Sequence, residues 1–178
     1  MFRRFLLATA LSAVFVSAAS AATVNYTARL NGRSEVPKTD SKGTGKFDAT
    51  FDTKTKLLSY TLTFDGLTGP ATVAHIHGPA TRTTSAGVLV PLGDKNPTSP
   101  ITGSATLTDD QVKALQSAKT YVNVHTAADP AGEIRGQIIS VHAKRAKKAA
   151  AAAAAPAAAP AASTPPAAAT PPAAAAPK

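Results

Sequence analysis

The sequence contains no cysteine. Disulfides, thiolate nucleophiles and cysteine metal ligands are therefore all excluded, and a folded chain of this length must hold itself together by packing around a real core. Neither a G-x-S-x-G nucleophile elbow nor a Walker phosphate loop is present, and no internal repeat is visible. The apolar stretch from Phe5 to Val16 is too short to span a bilayer. Acidic residues are scarce, ten against nineteen Lys and Arg, for a formal charge of +9. That imbalance sits at the ends. Residues 22–142 carry twelve Lys and Arg against ten Asp and Glu, so the middle is nearly neutral and lacks the concentrated basic surface that nucleic-acid binding needs.

What is present begins with MFRRFLLATALSAVFVSAASAAT. Arg3 and Arg4, the apolar stretch and the small residues Ala19-Ser20-Ala21 are the three parts of a secretory signal, which predicts residues 1–21 as a cleaved leader. The mature protein would start near Ala22 and be exported, to the periplasm or the extracellular space. From Ala143 onward the chain is a basic cluster (Lys144, Arg145, Lys147, Lys148) followed almost entirely by Ala and Pro. Such a segment cannot bury enough apolar surface to offset its ordering entropy, so 143–178 is expected to be a disordered tail. Its charge suits peripheral contact with an anionic envelope surface, or a plain solvated linker.

Between these ends, short runs of period-two alternation separated by turn residues predict an all-β domain over 22–142. The expected strands are 23–30, 45–52, 57–64, 72–78, 87–92, 102–107, 120–126 and 132–140. TDDQVKALQ is the exception: Thr108 is an N-cap candidate, Asp109 and Asp110 fall in the first turn, and Val112 and Leu115 share a face, which predicts one short helix near 109–117. Eight strands in this length make a Greek-key β-sandwich or small barrel.

Strand geometry sorts the polar residues. In AHIHGPA (74–80), His75 and His77 share a face. In TYVNVHT, Val122 and Val124 mark the core side and leave Tyr121, Asn123 and His125 opposite; in GEIRGQIIS, Ile134 and Ile138 mark the core and leave Glu133, Arg135 and Gln137 outward. Asp129-Pro130 and Gly132 predict an antiparallel hairpin whose register opposes His125 to Glu133, Asn123 to Arg135 and Tyr121 to Gln137. Two readings of the histidines stay open. They are ordinary polar residues on the wet side of a sheet, or His75, His77 and His125 offer three imidazole nitrogens to one copper or zinc ion. In the second case Glu133 would orient His125 by a hydrogen bond, with Asn123 and Arg135 alongside and Arg135 drawing in an anion.

AHIHGPA, G-V-L-V near residue 87, TGSATLTDDQVKAL and YVNVHTAADPAGEIRGQI together resemble a CHRD domain, the module named after chordin and found in many bacterial exported proteins. The resemblance implies an immunoglobulin-like β-barrel, remotely similar to copper/zinc superoxide dismutases, with no general biochemical activity established for the family. Those dismutases also use an H-x-H strand for copper. This chain offers only His75, His77, His125 and His142, too few for a second metal, and lacks the dismutase disulfide. Three functions follow as expectations: an exported binding or structural module of the cell envelope, with an unidentified protein or envelope component as partner; a copper- or zinc-binding protein; and, least supported, a dismutase or hydrolase. No catalytic residues are assigned.

Overall fold

The computed structural model describes residues 22–142; the leader and tail expected at 1–21 and 143–178 lie outside the described residues. Nine strands follow in order: β1 (Thr23–Asn31), β2 (Thr44–Asp52), β3 (Leu57–Asp65), β4 (Ala71–His77), β5 (Val88–Gly93), β6 (Ile101–Thr106), β7 (Tyr121–Thr126), β8 (Ile134–Gln137) and β9 (Ile139–Ser140). One helix, α1 (Asp109–Gln116), joins β6 to β7. All ladders are antiparallel, in the spatial order β5-β4-β7-β8-β1-β2-β3-β6, with β9 also on β1. The two ends of this sheet approach each other: Tyr60 on β3 donates its hydroxyl to Leu92 O on β5 at 3.5 Å. The result is a nearly closed barrel, all-β with one short helix.

Period-two alternation builds the apolar interior. Phe47, Ala49 and Phe51 on β2 point inward, with Lys46, Asp48 and Thr50 between them. Val122 and Val124 on β7 meet Ile134 and Ile138 from the next segment, all four fully buried, as their alternation predicts. The helix is set by its own sequence. Thr108 caps it by accepting the Gln111 N–H, while Gln111 Oε1 accepts the Thr108 N–H at 2.8 Å, a reciprocal capping box. Leu115 on this helix is buried in the core, with Val112 packed against it.

One expectation fails at this level. The polar face of β7 and β8 is not a wet outer surface: every residue of both strands is buried, Arg135 at 1% exposure and Asn123 at 2%. The cause is cover from two irregular segments. Residues 78–87 lie over the face, held by Arg135 Nη2 donating to Thr81 O and Thr84 O (2.8 Å each) and by Gln137 Nε2 donating to Ala80 O at 2.9 Å. Residues 32–42 contribute Glu35, itself buried. The barrel wall therefore separates an apolar core from a second, polar interior.

Candidate metal centre

The polar interior is laid out by sheet register. His75 lies opposite Asn123, which lies opposite Arg135; His77 lies opposite Tyr121, which lies opposite Gln137. His125 pairs with Val73, placing it diagonally next to His75. The predicted hairpin register holds at Asn123–Arg135 and Tyr121–Gln137. Because β4 and β7 are neighbours, the three histidines converge, with ring centroids 5.2 to 5.9 Å apart.

Their ligand nitrogens all lie within 4.8 Å of one another. His75 Nδ1 and His125 Nε2 are 3.4 Å apart. Nitrogens bound tetrahedrally to one ion at about 2.0–2.1 Å stand roughly 3.3 Å apart, so this pair already has ligand spacing and His77 has at most about 1.5 Å to close. Two backbone carbonyls settle the tautomers. His77 Nδ1 faces Ala86 O and His125 Nδ1 faces Pro130 O, both at 2.9 Å, and a carbonyl can only accept. Both Nδ1 atoms therefore carry hydrogen, and the two Nε2 lone pairs point elsewhere. His77 Nε2 is buried and has no hydrogen-bond partner. A buried acceptor without a donor costs free energy unless something fills it.

Electrostatics favour the neutral, ligating form. Burial, reinforced by the neighbouring histidines, holds His75 below the usual imidazole value; burial does the same for His77, against the opposing bond to Ala86 O. No carboxylate belongs to the cluster. Three imidazole nitrogen donors suit copper or zinc and not the oxygen-seeking magnesium or calcium. The residues present thus fit such an ion, and three ligands leave a further position open.

The surroundings differ from expectation in one respect. Glu133 does not touch His125. Gly132, at φ +134°, turns the chain just before β8, so Glu133 lies outside the ladder and strand alternation does not govern it. Its carboxylate swings over the barrel end and accepts from Ser41 Oγ, Thr68 N (2.8 Å), Thr68 Oγ1 and Thr126 Oγ1 (2.7 Å each). Burial pushes this carboxyl up, but those donors outweigh it and hold it below the ordinary range. The orienting group for His125 is instead the Pro130 carbonyl. Arg135 anchors residues 81–84 and lies over the Tyr121 ring, 3.4 Å from its centroid, while Tyr121 stacks on His77 at 5.0 Å with the rings 7° from parallel. Asn123 donates to Ala131 O at 3.5 Å and leaves its Oδ1 unpartnered. His142, at the end of the described chain, is exposed and outside the cluster.

Sequence reading missed Tyr121 as a stacking partner, Glu35, and the carbonyls of Ala86 and Pro130. The carbonyls carry no sequence signal, because any residue supplies one. Tyr121 had a signal in its alternation with Asn123 and His125.

A barrel with a polar second interior and three convergent imidazoles defines the class as an all-β module with a built side-chain cluster. Its family is also defined: the sequence matches the CHRD domain family over residues 26–138, and the chain belongs to that family. No curated protein and no solved structure matches it.

Proposed function

We propose that this CHRD domain, in general terms a structural or binding module, binds a single copper or zinc ion, held by His75, His77 and His125, in an exported protein of the periplasm or extracellular space. The observation that carries this is the set of three ring nitrogens within 4.8 Å, two of them with tautomers fixed by backbone carbonyls so that Nε2 bears the lone pair. When bound, the ion would supply Lewis acidity or, for copper, redox capacity. The chain's own contribution is to favour the neutral form of His75 and His77 by burial, to bring three imidazoles together, and to orient His77 and His125 through the Ala86 and Pro130 carbonyls. Sequestration or redox protection fits this better than dismutation, because the cluster offers no second set of ligands among the described residues.

The test is metal content. The mature protein, stripped with a chelator, is titrated with Cu(II) and separately with Zn(II), and ions retained after desalting are measured by mass spectrometry. One ion per chain is expected, falling to background in the His75→Ala/His77→Ala variant. Retention below 0.1 ion per chain, or equal retention by the variant, would refute the proposal.

A further inference from the structure

Asn123 stands in the middle of the three histidines. Sheet register sets it opposite His75, two residues before His125 on the same face of β7, and diagonal to His77. It is 2% exposed, and its Oδ1 is buried with no hydrogen-bond partner. His77 Nε2, left with the lone pair when Nδ1 donates to Ala86 O, is buried and unmet in the same way. Each such acceptor costs desolvation with nothing returned.

The other end of the amide fixes its direction. Nδ2 donates to Ala131 O at 3.5 Å, and a carbonyl can only accept. A Cβ added at Gly132 would lie 2.5 Å from Asn123 Nδ2 and 2.6 Å from Glu35 Oε1, so the amide nitrogen shares that corner with the carboxyl group. Oδ1 takes the other branch. Electrostatics agree: Asn123 draws the Glu35 carboxyl down, as a donor does, and the His77 imidazole up, as an acceptor does. Oδ1 therefore faces His77, acceptor towards acceptor. Burial disfavours a second hydrogen on that ring, and a cation between the two atoms answers both.

Resting on the metal-binding reading above, we propose that Asn123 Oδ1 is the fourth ligand of the His75/His77/His125 centre, giving a closed set of three imidazole nitrogens and one amide oxygen. Copper accepts a weak amide-oxygen partner beside imidazoles. Structural metal sites are closed, whereas catalytic ones keep a position for water or substrate. A centre closed by Asn123 holds its ion and offers no place for a substrate, so the domain retains metal and does not turn over at it.

Two measurements on the mature full chain test this: water-proton relaxation of the Cu(II)-loaded protein, and affinity for Cu(II) and Zn(II) by competition with a chromophoric chelator. Both are made on the parent, Asn123→Ala and Asn123→Asp. The Cu(II)-loaded parent should relax water little faster than its Zn(II) form, while Asn123→Ala admits water to the ion and relaxes it faster. Affinity should fall by roughly tenfold or more in Asn123→Ala, the scale of losing even an outer partner of a metal site. Asn123→Asp, which returns an oxygen to the same point, should keep the parent affinity. The inference is overturned if the Cu(II)-loaded parent relaxes water strongly, a result that needs no variant, because the fourth position is then open. It is also overturned if Asn123→Ala binds as tightly as the parent or more tightly, which would mean that the amide nitrogen faces His77 and competes with the ion. Equal losses in Asn123→Ala and Asn123→Asp would reduce Asn123 to a structural role and overturn it likewise. A parent that retains no ion refutes the metal reading itself; a parent that retains one ion and gives any of these results leaves that reading standing and removes Asn123 alone from the ligand set.

Discussion

Glu35 sets up a stability test whose sign is fixed by the structure. The carboxyl is 6% exposed, and burial pushes it from the ordinary 4.5 up to about 7, against the opposing pull of Arg135, the Val36 N–H and Asn123. A group whose folded pKa is raised binds protons more tightly in the native state than in the unfolded one. Its contribution to stability is therefore fully present below 4.5 and is lost as pH rises through about 7. At about 1.4 kcal/mol per pH unit, the loss across that window is roughly 3 kcal/mol. His75 and His77 act in the opposite direction, because their depressed values make stability fall as pH drops below the imidazole range. The two effects mask each other in the parent protein, and substitution separates them. Glu35→Gln keeps shape and polarity but cannot ionise, so the difference between variant and parent isolates the carboxyl. Urea unfolding at steps from pH 4.5 to 8, with chelator present, should show the variant gaining on the parent by about 3 kcal/mol over that range, most steeply midway between 4.5 and 7. A difference that stays flat from pH 4.5 to 8 would mean that Glu35 ionises as freely in the folded protein as in water, and the reasoning would be wrong.

The strands and the helix were legible because their signals are local. Alternation in TYVNVHT and the Thr108 cap each depend on residues within one or two turns of chain, and the hairpin register followed from requiring Val124 and Ile134 to share the core. The convergence of His75, His77 and His125 could be stated only as a condition, since it required β4 to lie beside β7, a pairing between segments about 50 residues apart. The burial of the polar face was not legible at all. Residues 78–87 and 32–42 have no periodicity, and what brings the first of them down is a set of bonds from Arg135, Gln137 and His77 to main-chain carbonyls, which look alike whatever the side chain. Glu133 was misassigned for a different reason. Alternation was extended one residue past the strand, across Gly132, where the backbone no longer alternates.

Val124→Ala, at a fully buried position, should cost about 1–4 kcal/mol in chemical unfolding, whereas His75→Ala in metal-free protein should cost under about 1 kcal/mol; equal losses would contradict the burial of one and the half-burial of the other. Gly136→Ala should destabilise more than its single methyl suggests, because the new Cβ would sit 2.4 Å from Arg29 O on the neighbouring β1, and a melting temperature within 2 °C of the parent would refute that contact. Deleting the chain after Ala143 should leave the thermal unfolding of the domain unchanged, since no large apolar residue follows His142. Glu133→Gln tests the barrel end. The carboxylate accepts four hydrogen bonds, and the Thr68 N–H among its donors cannot turn away as the hydroxyls can. Replacing one oxygen with an amide nitrogen sets donor against donor at half of the site, for a loss of about 2–4 kcal/mol at pH 7. Because the folded carboxyl is held below its ordinary 4.5, the stability that it supplies is present above that value and is lost as pH falls through the depressed one. The gap between parent and variant should therefore be widest at pH 7 and shrink toward pH 2. A gap of the same size at both ends would show that the substitution acts through shape alone and that the charge on Glu133 does not hold Ser41, Thr68 and Thr126 together.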